Sequence, residues 1–281
     1  MSNFSFLEYS FNYKITEPEL VYGSLNRLGF IQRNIHTSGQ FSMWTQNQCI
    51  ILLRKSYDVI EPKISGIGIL VDEDTLTDFD MEFDYDCSMN VFYDPQGLRI
   101  LSMPEKQLSK MILHGYEIID KKQYDTPGLE YFSGIVYNIS SQDTLDFYEK
   151  IGFKHTKSSC DYDTLMSKNN RFTLLCNKTT KQNNINVVYT ETNDVFKTTC
   201  HYTAANFKIK EYHLDKVSLN FGPDLNYKIF GYNCVAFGDK NRYTIENSIV
   251  DPIPNLDFVF RTRKQFLHIN EESVKVHYAT A

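Results

Sequence analysis

Asp143-Thr144-Leu145-Asp146-Phe147-Tyr148-Glu149-Lys150-Ile151-Gly152-Phe153 is the stretch whose reading decides the fold. It reads as an amphipathic helix running into a Gly-Phe turn, where glycine accepts the left-handed backbone that closes a helix. Just before it, Tyr131-Phe132-Ser133-Gly134-Ile135-Val136-Tyr137-Asn138-Ile139 reads as a strand. Short strands follow, so the unit is a strand, a helix and three further strands, βαβββ.

Working outward, the unit has a second copy. Residues 6–55 align on residues 129–178 without a gap. Leu28-Gly29-Phe30 falls on Ile151-Gly152-Phe153, Met43 on Met166, Asn47 on Asn170 and Ile51-Leu52 on Leu174-Leu175. In the first copy a strand is expected over Phe6–Lys14. Thr16 and Glu19 have the spacing of a capping box, and Pro18 falls in the first turn, where its missing N–H does no harm. The helix is predicted over Glu17–Leu28, with Leu20, Val21, Leu25 and Leu28 as its apolar stripe and Gly29 as its end. Ile31–Thr37, Gln40–Thr45 and Cys49–Arg54 complete the unit as strands.

A second type of segment separates the copies. Ile64-Ser65-Gly66-Ile67-Gly68-Ile69-Leu70-Val71 reads as an apolar strand. An acidic stretch from Asp72 to Asp86 fills the helix slot and reads as a solvated face. Val91-Phe92-Tyr93 and Leu98-Arg99-Ile100-Leu101 are strands around the turn Asp94-Pro95-Gln96-Gly97. Beyond the second copy, Ile185–Thr190 is a strand, Asp194–Phe207 a helix, and 228–237, 242–250 and 256–262 are strands.

The strand and helix ending in Phe147-Tyr148-Glu149-Lys150-Ile151-Gly152-Phe153, together with Asn90-Val91-Phe92-Tyr93-Asp94-Pro95-Gln96-Gly97, resemble the vicinal oxygen chelate superfamily of glyoxalases and extradiol dioxygenases. With four units, the chain is most similar to the 4-hydroxyphenylpyruvate dioxygenase type. The resemblance implies an α+β, glyoxalase-like fold of tandem βαβββ modules, paired into two half-open barrels. The first pair spans residues 1–104 (modules 6–55 and 64–104), a connector 105–128, and the second pair 129–281 (modules 129–178 and 185–281). A helical start to the connector is expected over Glu105–His114.

The resemblance also implies where chemistry would sit. The family holds Fe(II) by two His and one Glu, a facial triad that leaves positions for a keto acid and dioxygen. The His positions fall near Phe132 or Ser133 and near Asn186, and the Glu position falls at Val259. In the first pair the corresponding residues are Tyr9 and Gly66. None of these is a family ligand, so neither Fe(II) nor another divalent metal is expected and no cofactor is assigned. Period-two alternation around those positions gives Ser133, Tyr137, Thr173, Asn186 and Arg261 as candidate ligand-binding residues, with Arg261 placed to pair a carboxylate.

Other chemistries leave no mark. There is no Gly-x-Ser-x-Gly elbow, no phosphate loop and no His-Glu-x-x-His. Gly66-Ile67-Gly68 lacks the third glycine of a dinucleotide fingerprint, and the acidic run lacks the mid-loop glycine of a calcium loop. Six cysteines with no C-x-x-C pair indicate neither a disulfide scaffold nor a zinc site. The single tryptophan, Trp44, occupies a strand slot and reads as core.

The 281 residues carry a net charge of −6, which argues against a broad nucleic-acid surface. The 20 Phe and 19 Tyr suit sheets, where aromatics pack on a pleated face. No apolar run reaches the roughly 18 residues of a membrane span. Residues 1–8 lack the basic flank and apolar core of a signal peptide, so a cytoplasmic protein is expected. Three functions follow in order. The first is metal-free binding of a small molecule, such as a carboxylate, in the second pair's cavity. The second is a structural or interaction role with filled barrels. The third is a metal-dependent lyase or dioxygenase with other ligands. A homodimer is compatible with each, and whether the chain is an enzyme stays open.

Overall fold

The computed structural model describes residues 6–35, 39–70, 79–85, 87, 89–103, 128–138, 141–158, 162–167, 172–177, 187–214 and 244–261. These form two mixed sheets of eight strands each. The first contains β1 (Phe6–Phe11), β2 (Ile31–Ile35), β3 (Phe41–Gln46), β4 (Cys49–Lys55), β5 (Lys63–Leu70), β6 (Glu82–Asp84), β7 (Met89–Tyr93) and β8 (Arg99–Met103). Its spatial order is β2-β3-β4-β1-β5-β8-β7-β6. The second contains β9 (Tyr131–Asn138), β10 (Lys154–Ser158), β11 (Tyr162–Met166), β12 (Thr173–Asn177), β13 (Val187–Glu191), β14 (Ile209–Leu214), β15 (Thr244–Ile253) and β16 (Leu256–Arg261). Its order, β10-β11-β12-β9-β13-β16-β15-β14, repeats that of the first. The α+β class with paired βαβββ modules is therefore the one expected. The expected helix at 105–114 and strand at 228–237 lie outside the described residues.

Helix α1 (Pro18–Leu28) follows β1, α2 (Gln142–Lys150) follows β9, and α3 (Val195–Ala204) follows β13. Val21, Leu25 and Leu28 are buried on α1, whereas Leu20 faces outward, so the apolar stripe is narrower than expected. The capping box does not form. The N-cap is Glu17, one residue past Thr16, and it makes no side-chain cap; the amide of Thr16 is held by the carbonyl of Asn12 in the preceding turn. Gly29 closes α1 with φ of 93°, a conformation that costs glycine little. Asp194 caps α3 by accepting from the amide of Lys197.

Alternation sorts each strand into a helix face and a far face. Leu7, Tyr9 and Phe11 of β1, Ile135 and Tyr137 of β9, and Phe258 and Phe260 of β16 join one core with α1, α2 and α3. That core draws on both sheets, so they are packed as one body. Trp44 lies in it as expected, stacked on Tyr22 at 5.5 Å. A smaller core covers the far face of the first sheet, with Phe6, Phe41, Met43, Leu52, Met89, Val91 and Leu101.

The ungapped alignment of the two copies holds for α1 and α2 and for β4 and β12, but fails in the first strand. Ile51 pairs with Leu7, whereas its counterpart Leu174 pairs with Ile135 instead of Glu130. The link before α1 is longer than the link before α2, and the strand register takes up the difference.

Candidate functional site

The far face of the second sheet is built around a bulge in β9. Tyr189 pairs with Gly134 and Thr190 with Phe132, so Ser133 is left over. Phe132 and Ile135 both belong to the helix-face core, and the two residues between them turn to the far face. Ser133 is 2% exposed, and among the described residues its hydroxyl has no hydrogen-bond partner. Next to it, Gly134 pairs with Thr173 of β12. A Cβ on Gly134 would stand 2.5 Å from the Thr173 carbonyl oxygen, so the strands approach in a way only glycine permits. Val259 is buried on this face and pairs with Tyr189.

Of the five candidates, the fold brings Ser133 and Thr173 together on adjacent strands. Tyr137 requires a correction. It has the parity of Ile135, lies on the helix face, and its hydroxyl donates to Asp94 Oδ2 at 2.7 Å. The bulge at Ser133 breaks the alternation that placed both residues on one side. Arg261 ends β16 with its backbone paired to Glu191. Asn186 lies outside the described residues. At the family's ligand positions Ser133 supplies a hydroxyl and Val259 no donor, a set that does not fit a facial triad. Among the described residues no three His, Cys, Asp or Glu come together as a metal site.

The first sheet holds a charged cluster that the sequence reading missed. Glu8 alternates with Leu7 and Tyr9 and is fully buried on the far face. Its Oε1 accepts from Arg99 Nη1 at 2.8 Å and from Arg54 Nη1 at 3.4 Å. Arg99 Nη2 donates in turn to Asp84, a residue of the acidic stretch expected to face solvent. Burial pushes the Glu8 carboxyl up to about 8, with Arg54 drawing it down and Asp84 driving it up. Tyr9, expected at the ligand position, points the other way and donates to the Pro254 carbonyl at 2.8 Å. The available signal was Glu8 itself, the one charge in Phe6–Phe11, set opposite Gly66. A Cβ on Gly66 would lie 2.7 Å from Glu8 Oε2.

The Asp94 turn meets β9 and α2 at the joint between the sheets. Asp94 is buried, and its Oδ1 accepts from the amides of Gln96 at 2.9 Å and Leu98 at 2.8 Å. Its Oδ2 accepts from Tyr137 and, at 3.2 Å, from Tyr148 of α2. Gln96 Nε2 donates to the Asn138 carbonyl at 3.0 Å. Burial raises the Asp94 carboxyl, against the lowering effect of these four donors.

No family model matches the chain, and no curated protein does. Solved structures do. A xylose isomerase-like TIM barrel/4-hydroxyphenylpyruvate dioxygenase fusion protein is similar with a TM-score of 0.63 and 14% identity. The match covers 96% of this chain and 52% of the fusion, so the chain spans about half of that protein. A triple mutant of 4-hydroxymandelate synthase from Streptomyces coelicolor matches at TM-score 0.59 and 9% identity, over 93% of each chain. The Mn(II)-bound glyoxalase from Novosphingobium aromaticivorans matches at 0.55 and 12%, over 92% of this chain and 80% of its own. The chain has the vicinal oxygen chelate fold. Within that fold its two far faces differ. Phe6 pairs with Gly68 in the first sheet, and Gly134 with Tyr189 in the second, so the large and small partners have changed strands. Glu8 and Arg99 of the first vicinal oxygen chelate pair are matched in register by Val136 and Asp257 of the second.

Proposed function

We propose that this chain is a metal-free binding protein of the vicinal oxygen chelate fold, taking a small carboxylate on the far face of the second sheet. Ser133 and Thr173 line the site, and Asn186 and Arg261 are assigned to it from the sequence alone. The observation that carries this reading is the buried Ser133 hydroxyl without a partner, beside Gly134, at a position where this fold puts chemistry. An unmet buried hydroxyl costs roughly 1–3 kcal/mol, which a bound acceptor would recover. Ser133→Ala is therefore expected to leave the free protein as stable or more stable. The same change should weaken a bound aryl or 2-oxo carboxylate roughly tenfold, read by calorimetry against a panel of such acids. Arg261→Gln should weaken it likewise. Unchanged affinity in both variants, or no binder in the panel, would overturn the assignment.

A scaffold role is the second reading, and the apolar filling of the first sheet's far face favours it there. Metal content separates the third. About one equivalent of a single metal in protein purified without chelator would restore a metal-dependent enzyme.

A further inference from the structure

Among the described residues the first sheet ends on β6, which is hydrogen-bonded to β7 and is the last strand in the order. Beside this edge lies a half-open cleft of about 400 Å³ lined by Phe79, Asp80, Met81, Glu82, Phe92 and Tyr93. Its floor is aromatic: Phe79 stacks on Phe92 at 5.1 Å and meets Phe147 edge-on at 5.5 Å. Tyr93 in its lining is 51% accessible, and Phe83 at 49% and Tyr85 at 80% are exposed along the same edge. Asp80 and Glu82 are also exposed, and no ion pair to either forms among the described residues. Arg54 and Arg99 of this sheet are engaged by Glu8, and Arg99 also by Asp84.

We propose that this edge and cleft receive an extended, basic segment of a partner protein, added as a strand along β6. An edge strand offers main-chain donors and acceptors to an incoming strand, and pockets for alternate side chains give it specificity. Along β6, Phe83 alternates with Glu82 and Asp84, so the complementary strand alternates cations with apolar residues. Its cations meet Asp80 and Glu82, and also the face of Tyr93. A second copy of this chain is the poorer occupant, because two β6 edges would set like charges opposite each other.

The probe is a labelled heptapeptide of alternating lysine and valine with blocked ends, titrated onto the full chain by fluorescence anisotropy. Binding is expected at low salt, weaker at raised salt, and absent for the glutamate–valine counterpart. Charge reversal by Asp80→Lys with Glu82→Lys should weaken it roughly tenfold. Phe83→Asp should do the same, and these exposed substitutions should leave the far-ultraviolet circular dichroism unchanged. No binding of the lysine peptide, equal binding of the glutamate peptide, or indifference to all these substitutions would overturn the proposal. So would self-association of the chain that Phe83→Asp abolishes, since the edge would then serve a second copy.

Discussion

Glu8 concentrates the chemistry of the first sheet into one side chain. Its proton is held in the folded state up to about 8, against 4.5 for an ordinary glutamate. The folded chain therefore binds more protons than the unfolded one between those values, and stability falls as pH rises through that window. The contribution is complete below the unfolded value and lost above the folded one. Glu8→Gln cannot titrate, so the midpoint of urea unfolding should lose this slope between pH 5 and 9 while other groups keep theirs. Parallel slopes in the two proteins would show that Arg54 and Arg99 hold the carboxylate ionised throughout. In the second sheet the position of Glu8 is taken by Val136, and the buried polar group at issue is the Ser133 hydroxyl, whose removal is read through binding.

At the scale of the elements, large and small residues are fitted strand against strand. A Cβ on Gly68 would come 2.1 Å from the Phe6 ring. Gly68→Ala should therefore destabilise by about 1–3 kcal/mol, the usual penalty of overpacking. Phe6→Ala in the same chain should restore part of that loss, giving a non-additive double-mutant cycle. Additive losses would mean that β5 moves aside instead. The elements themselves were legible in the sequence, because α1 and α2 carry their glycine stops and the short strands lie between turn residues. The faces were less so. Two-residue alternation puts Tyr137 with Ser133 until a bulge intervenes, and only the paired strand reveals the bulge. Glu8 looked like one polar residue of a strand, since the arginine that meets it lies far along the chain. Asp84 was read as solvated with its acidic neighbours for the same reason.

The whole molecule is held together by a reciprocal exchange of turns. The Asp94 turn of the first sheet is gripped by Tyr137 and Tyr148 of the second. The loop between β15 and β16 of the second is gripped by Tyr9 of the first, through the Pro254 carbonyl. Asn255 Nδ2 adds a bond to the Pro62 carbonyl at 2.9 Å. Because one apolar core runs through both sheets, these polar contacts act on top of a shared hydrophobic interface and select its alignment. Asp94→Ala would strand two buried phenols and free two turn amides, a loss of roughly 2–4 kcal/mol. Tyr9→Phe removes one bond and leaves a carbonyl near solvent, so about 1 kcal/mol is expected. Trp44 is carried by β3 and stacks on Tyr22 of α1, so it reports first on the first module, whereas far-ultraviolet circular dichroism reports on both sheets. In the parent chain the two signals should unfold together in urea. In Asp94→Ala the midpoint should fall, and if the joint is what couples the sheets, the dichroism should begin to change before the tryptophan does. Coincident curves at a lowered midpoint would assign the coupling to the shared core. An unshifted midpoint would mean that Tyr137 and Tyr148 find other acceptors.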